Sequence, residues 1–305
     1  RQGTVMKDIQ IGFGIDVDAV VGLLGVGVGE NAFAAIARGL FAGEVGIPRL
    51  LTLLERRGIK ATWFAPGHSV ETFPEQMEAV VAAGHELGCH GSSHAPPSAM
   101  TPEQEEAVLV RSIEILRKLT GIKPAGYTAP WWDPSPATLG LLTKYGFTYD
   151  HSLMHRDFEP YHLREGDTWT KIDYSKPAEA WMKPLVRGHE TSIVEIPGSW
   201  YLDDLPPMMF VPASANSQGW VNPWDIRRQW EEQFEWVYEE MDYAIFPIAI
   251  HPDVSGRPQV LRMLNEFITF TEKFEGVHWC TYGEMVESFT GRTAKGGTAS
   301  SAALS

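Results

Sequence analysis

Five short segments of this chain carry side chains that could do chemistry together. Asp16 and Asp18 stand in Gly14-Ile15-Asp16-Val17-Asp18, directly after the apolar stretch 9–15. A carboxylate pair at the end of a strand sits where ligand sites form in parallel sheets, although a solvated Asp pair would look the same. The second segment is Cys89-His90-Gly91-Ser92-Ser93-His94. His-x₃-His lets both imidazoles reach one ion if residues 91–94 make a helical turn, and two His with one carboxylate suit Zn²⁺ or another divalent transition metal. Taken alone, a pair of loop histidines in ordinary hydrogen bonds is equally consistent. In the third, Ala249-Ile250-His251-Pro252, an apolar strand ends on a histidine, for which a buried structural role is the default. The fourth and fifth, Tyr127-Thr128-Ala129-Pro130-Trp131-Trp132 and Ser199-Trp200-Tyr201-Leu202-Asp203-Asp204, put aromatic rings after strands, where rings usually build core or wall.

The elements that must hold these residues alternate along the chain. Residues 47–57 have Pro48 in a first helical turn and Gly58 as a stop. Residues 61–64 follow as a strand, then a helix over 74–83 ending at Gly84, then the strand 86–89. Thr101-Pro102-Glu103-Gln104 is a capping box for a long helix that stops at Gly121, and Ser135-Pro136 opens another that closes at Gly146. Helices over 223–241 and 258–274, strands over 244–250 and 277–279, and a last helix capped by Thr281 complete the pattern. The aromatic-rich segment from about 155 to 240 reads as long loops above the sheet. Strands alternating with helices imply a parallel sheet, and no linker divides the chain. The predicted fold is α/β, a single domain of distorted (β/α) barrel type over 8–290, with residues 1–7 as an N-terminal extension and 291–305 as a disordered tail. Asp16, Asp18, His90, His94, Trp131, Trp200 and His251 each fall just past a predicted strand, and a barrel would gather them around one mouth. Scattered structural histidines have no reason to choose those places.

Composition narrows the partners. With 44% hydrophobic and 21% charged residues, the 305-residue chain is an ordinary folded one. A net charge of −14 argues against nucleic acid and anionic membrane surfaces as partners. Two cysteines, Cys89 and Cys280, make no disulfide framework. No apolar run is long enough to cross a membrane, and the first residues lack the order of a signal peptide, so a cytoplasmic and a secreted location are both open. A homo-oligomer is equally open.

In this order and spacing the motifs resemble those of the polysaccharide deacetylases with a NodB-type domain, carbohydrate esterase family 4, over about residues 8 to 289. Two departures stand out: the usual Asp-Asp is Asp16-Val17-Asp18, and the Arg of the usual Arg-x-Pro motif is Thr128. Pro130-Trp131-Trp132 and the 199–204 segment are similar to the branch that holds peptidoglycan deacetylase of Helicobacter type, fungal deacetylases of chitin oligomers, and allantoinase-like and cyclic-imide hydrolases. The resemblance implies that Asp18, His90 and His94 hold the metal and that Asp16 is the general base. It implies His251 as general acid, packed by Trp200, with the Trp131 N–H at the oxyanion; Asp203, or as second choice its neighbour Asp204, would orient His251. Thr128, Pro130 and Trp132 would join Trp131 and Trp200 around oxyanion and substrate.

The implied reaction is hydrolysis of a C–N amide bond, with an N-acetylglucosamine-containing carbohydrate of chitin-oligomer or peptidoglycan type as the expected substrate. A small cyclic imide or ureide is the alternative. A carbohydrate-binding protein without catalysis is a different class, supported by the tryptophans 131, 132, 200, 220 and 224 but not by the acid–base and metal set. Gly27-Val28-Gly29-Glu30-Asn31-Ala32 matches G-x-G-x-x-A, yet the next strand ends in Ala65-Pro66-Gly67 without the acidic residue that a dinucleotide site needs.

Overall fold

Apolar runs in which nearly every residue is hydrophobic belong to strands covered on both faces. In this computed structural model, which describes residues 5–24, 33–211, 219 and 221–295, they form the middle of a nine-stranded sheet. The strands are β1 (Asp8–Asp16), β2 (Thr62–Ala65), β3 (Glu86–Cys89), β4 (Gly126–Tyr127) and β5 (Tyr149–Asp150). They continue as β6 (Tyr161–Glu165), β7 (His189–Glu195), β8 (Tyr243–Ile250) and β9 (Val277–Trp279). The spatial order is β6-β7-β5-β4-β3-β2-β1-β8, with β9 also paired to β1. Every pairing is parallel except β6 with β7. The Ile245 N–H on β8 donates to the Phe158 carbonyl ahead of β6 at 2.9 Å, so the two ends of the sheet curl toward each other. The predicted distorted (β/α) barrel is what forms.

Side chains alternate across each strand, and the alternation sorts the core into two layers. Ile9, Ile11, Phe13 and Ile15 of β1 face outward, against helices that include Ile47–Arg57 and Pro258–Thr271. Gly12 and Gly14 face inward. A Cβ on Gly14 would lie 2.7 Å from the Tyr282 hydroxyl, and one on Gly12 2.6 Å from the Cys280 carbonyl. Those glycines let the helix Tyr282–Ala294 press Tyr282 into the barrel interior beside Phe64 and Tyr149. The same parity places Asp16 and Asp18, two and four residues beyond Gly14, over that interior at its upper end.

Local signals held where the backbone chemistry is self-contained. Thr101 and Gln104 form the capping box of Pro102–Thr120, and Gly121 ends that helix with φ 79°. Ile47–Arg57 stops at Gly58, φ 64°. Three expectations need correction. The 155–240 segment is not all loop beyond its helix Pro223–Glu240: β6 and β7 pair antiparallel within it, with β7 adding parallel to β5. The last helix continues through Ala294, so 291–294 are not a disordered tail. Residues 91–94 make a bend with Gly91 at φ 67° and His94 at φ 54°, not a helical turn. The expectations for 27–32, Trp220 and 296–305 lie outside the described residues.

Candidate metal centre and active site

The C-terminal ends of β1, β3 and β8 meet at one cavity of about 420 Å³. Asp16, Asp18, His90, His94, Trp131, Trp132, Trp200, Asp203 and His251 all line it. Four non-glycine residues have positive φ among the described residues: Ala19, His94, Trp131 and Trp132. All four border this cavity. Such backbone costs roughly 1–3 kcal/mol per residue and persists only where the surroundings impose it, commonly at functional sites.

The Asp18 Oδ1 is 3.1 Å from His90 Nε2 and 3.4 Å from His94 Nε2. Asp18 Oδ1 and His90 Nε2 are nevertheless buried without a hydrogen-bond partner. The reason for one of them is visible: the His90 Nδ1–H donates to the Thr128 carbonyl at 2.8 Å, which leaves Nε2 as the bare nitrogen facing the cavity. Ligand atoms ~2.0–2.2 Å from a zinc ion in a tetrahedron lie ~3.3 Å apart, which is close to the spacings found. Two nitrogens and one carboxylate oxygen, two of them orphaned by burial, fit a divalent transition ion.

Electrostatics favours the ligand forms of two members. Burial pushes the Asp18 carboxyl up, but His94, His90 and His251 outweigh it and hold that carboxyl well below the usual range. Burial brings His94 down to about 4, against the pull of Asp18, so its imidazole is neutral at pH 7. Burial would lower His90 too, yet Asp16 and Asp18 together raise it. Asp16 is pushed up to about 6 by burial, with His90 and His251 opposing. Its Oδ2 lies 3.8 Å from His90 Nε2 and 3.6 Å from His251 Nε2, while its Oδ1 is buried and unpartnered. Asp16 thus stands between the Asp18–His90–His94 set and His251.

His251 enters from the end of β8, its Nε2 3.6 Å from Asp18 Oδ2. Its Nδ1–H donates to Asp204 Oδ1 at 2.7 Å, and Asp204 Oδ2 accepts from the His251 N–H and the Ser255 hydroxyl. Asp204 above all therefore lifts His251 well above its ordinary value, against burial. This corrects the expected partner. Asp203 lies 3.7 Å from Nδ1, accepts from the Leu205 N–H instead, and is pushed up to about 8 by burial. The Asp204 N–H donates to the Ala249 carbonyl, which docks 203–204 beside β8 like a strand; adjacent residues then point opposite ways, and Asp204 points under the imidazole.

The aromatic expectations divide. Trp131 rests on His94, ring centroids 5.5 Å apart, and is half exposed to the cleft. Trp200 packs on Trp132 at 4.7 Å, not on His251 as expected. Thr128 and Pro130 are buried and are not among the residues that line the cavity. The Thr128 hydroxyl donates to the His151 carbonyl while its own carbonyl holds His90, and Pro130 packs over Gly91. Sequence reasoning missed Asp150, His151, Ser152 and Glu195, all buried beneath the 128–132 loop. The signal was available, because Asp150-His151-Ser152 also sits at the end of a strand.

No helix among the described residues is long and apolar enough to cross a membrane. Residues 43–149 match the family model described as polysaccharide deacetylase. A peptidoglycan deacetylase from Helicobacter pylori is 58% identical over 95% of this chain and 99% of its own length. A peptidoglycan deacetylase-like protein from Gibberella zeae is 37% identical over 93% and 87%. Among solved structures, a Mycobacterium smegmatis protein assigned to the polysaccharide deacetylases superposes with TM-score 0.80 at 28% identity, over 96% of this chain and 94% of that one. An allantoinase superposes with TM-score 0.73 at 22% identity, over 93% and 91%, and shares the fold. With a cavity of this make-up on a curled parallel sheet, and relatives matched over nearly their whole length, the chain belongs to the polysaccharide deacetylase family of hydrolases.

Proposed function

We propose that this chain is a metal-dependent hydrolase that removes acetyl groups from an N-acetylglucosamine-containing substrate of peptidoglycan or chitin-oligomer type. The observation that carries the reading is the convergence of Asp18 Oδ1, His90 Nε2 and His94 Nε2, two of them buried and unpartnered, under one cleft. Asp18, His90 and His94 would hold Zn²⁺ or another divalent transition ion. Such an ion, when bound, supplies Lewis acidity that polarises an amide carbonyl and eases deprotonation of water. Asp16, beside the ligand set with a free Oδ1, takes the proton of the attacking water. His251, fixed through Nδ1 by Asp204, presents Nε2 toward the same point and protonates the departing nitrogen, because an amide anion is a very poor leaving group. The Trp131 amide, on its left-handed turn at the cleft edge, donates to the oxyanion. Trp131, Trp132 and Trp200 form a wall on which a sugar face can stack.

The size of the cleft supports a second reading. A partly enclosed cavity of about 420 Å³, walled by Leu23, Leu205 and Met209 besides the tryptophans, also suits a small flat imide or ureide. Metal analysis of the purified chain, with parallel assays of acetate release from N-acetylglucosamine oligomers and of ring-opening of succinimide and allantoin, separates the two. Acetate release that stops on chelation is the expected result. Ring-opening without acetate release would move the chain to the cyclic amidases.

A further inference from the structure

Beneath the cleft, on the outward face of β5 and β7, lies a polar cluster that the proposed chemistry does not use. Asp150 and Glu195 are register partners on these parallel strands, and both are almost wholly buried. Glu195 Oε1 accepts from the Ser152 and Leu153 N–H groups, each at 2.7 Å. The Ser152 hydroxyl donates to Asp150 Oδ1 at 2.7 Å and accepts from the Ala129 N–H at 2.8 Å. One residue away, the Thr128 hydroxyl donates to the His151 carbonyl. Residues 150–153 are thereby clamped on one side by Glu195 and clamp the 128–129 backbone on the other.

That backbone carries two parts of the site. The Thr128 carbonyl holds the His90 Nδ1–H, and three residues on, Trp131 begins the left-handed pair that shapes the cleft edge. A carboxylate pair is a costly way to brace a loop, since buried carboxyls must stay protonated or fully hydrogen-bonded. Burial and the Asp150 charge raise Glu195 well above the ordinary range, so it is the member that keeps the proton. Between them Glu195 Oε1 and Asp150 Oδ1 meet the donors that Ser152 and Leu153 present.

We infer that Asp150, Ser152 and Glu195 form a buried positioning network that fixes the 128–132 loop and, through the Thr128 carbonyl, aims His90 Nε2 at the metal site. The inference rests on the proposed ligand role of His90. None of the three residues touches substrate or ion. They act through backbone that does. Outer partners that orient a metal ligand typically change affinity or activity by about 10–100-fold when removed.

The test compares Ser152→Ala with Ser112→Ala, a buried hydroxyl that only returns to the Val108 carbonyl on the helix Pro102–Thr120. Cobalt affinity of the apo protein is read from its visible absorption, beside melting temperature, kcat and KM. Ser152→Ala should bind cobalt about 10–100-fold more weakly and lose kcat with KM little changed, while Ser112→Ala changes neither. Glu195→Leu should lose as Ser152→Ala does. Glu195→Gln, which keeps a neutral acceptor oxygen at the same place, should restore both. Wild-type cobalt affinity and kcat in Ser152→Ala, whatever its melting temperature, would overturn the network. Should the wild type bind cobalt yet hydrolyse no N-acetyl substrate, the functional reading fails alone and the cobalt measurements still decide. A wild type that binds no cobalt would remove both.

Discussion

Two adjacent carboxylates compete for the role of orienting His251, and substituting each to its amide separates them. Asp204 is fully buried and accepts three hydrogen bonds, from His251 Nδ1–H, His251 N–H and the Ser255 hydroxyl. An Asn there has one acceptor oxygen. If that oxygen serves the Oδ2 side, where two donors converge, the NH₂ faces the imidazole Nδ1–H and a charge-assisted bond is lost. Such bonds contribute about 1.5–3 kcal/mol, which at ~1.4 kcal/mol per decade is roughly a 12- to 140-fold loss. If the ring changes tautomer to satisfy the amide, Nε2 no longer has the right proton state, and losses near 10⁴ are known for such swaps in hydrolase triads. Asp203→Asn differs in kind. Asp203 makes no hydrogen bond to the ring, and burial keeps its carboxyl largely protonated at neutral pH, which an amide imitates. The assay is kcat for acetate release, with metal content and melting temperature measured on each variant. Asp204→Asn should lose at least about tenfold in kcat with metal retained, and Asp203→Asn should stay near wild type. A larger loss from Asp203→Asn would refute the reasoning and return the role to that residue.

Three further outcomes follow from the same geometry. His90→Ala or His94→Ala should leave purified protein short of its divalent ion and inactive, as measured by elemental analysis beside acetate release; full metal content in either variant would dissolve the ligand set. Asp16→Asn should keep the ion but lose about 10²–10⁴-fold in turnover, because an amide cannot accept the proton of water, whereas metal loss in this variant with retention in Asp18→Asn would exchange their roles. For Glu195, the folded pKa lies above the unfolded value of about 4.3, so its contribution is fully present below that pH and is lost as pH rises through the folded value. Glu195→Gln, always neutral, should therefore gain stability over wild type as pH goes from about 4.5 to 8 in urea titrations; a difference constant with pH would mean that Glu195 is ionised in the fold.

Much of this protein could be read directly from residue order. The parallel sheet was legible because β1 and β8 are largely apolar and strands of this kind alternate with capped helices along the chain, and such strands are stable only with both faces covered. The gathering of Asp16, Asp18, His90, His94 and His251 was legible because side-chain parity and strand ends are local properties that a parallel barrel converts into one mouth. What the chain order could not decide were matters of which neighbour wins. Asp203 and Asp204 are indistinguishable as letters; docking of their backbone beside Ala249 turns Asp204 under the imidazole and leaves Asp203 bonded to Leu205. Thr128 and Pro130 share a motif with Trp131, yet the first two go inward because the 128–129 backbone is tied to residues 151–152, which lie 23 positions along the chain. The antiparallel β6–β7 pairing arises from contacts across 24 or more residues that carry no local signature. Local sequence determines which residues can reach the end of a strand. Long-range hydrogen bonds decide which of those residues face the cleft.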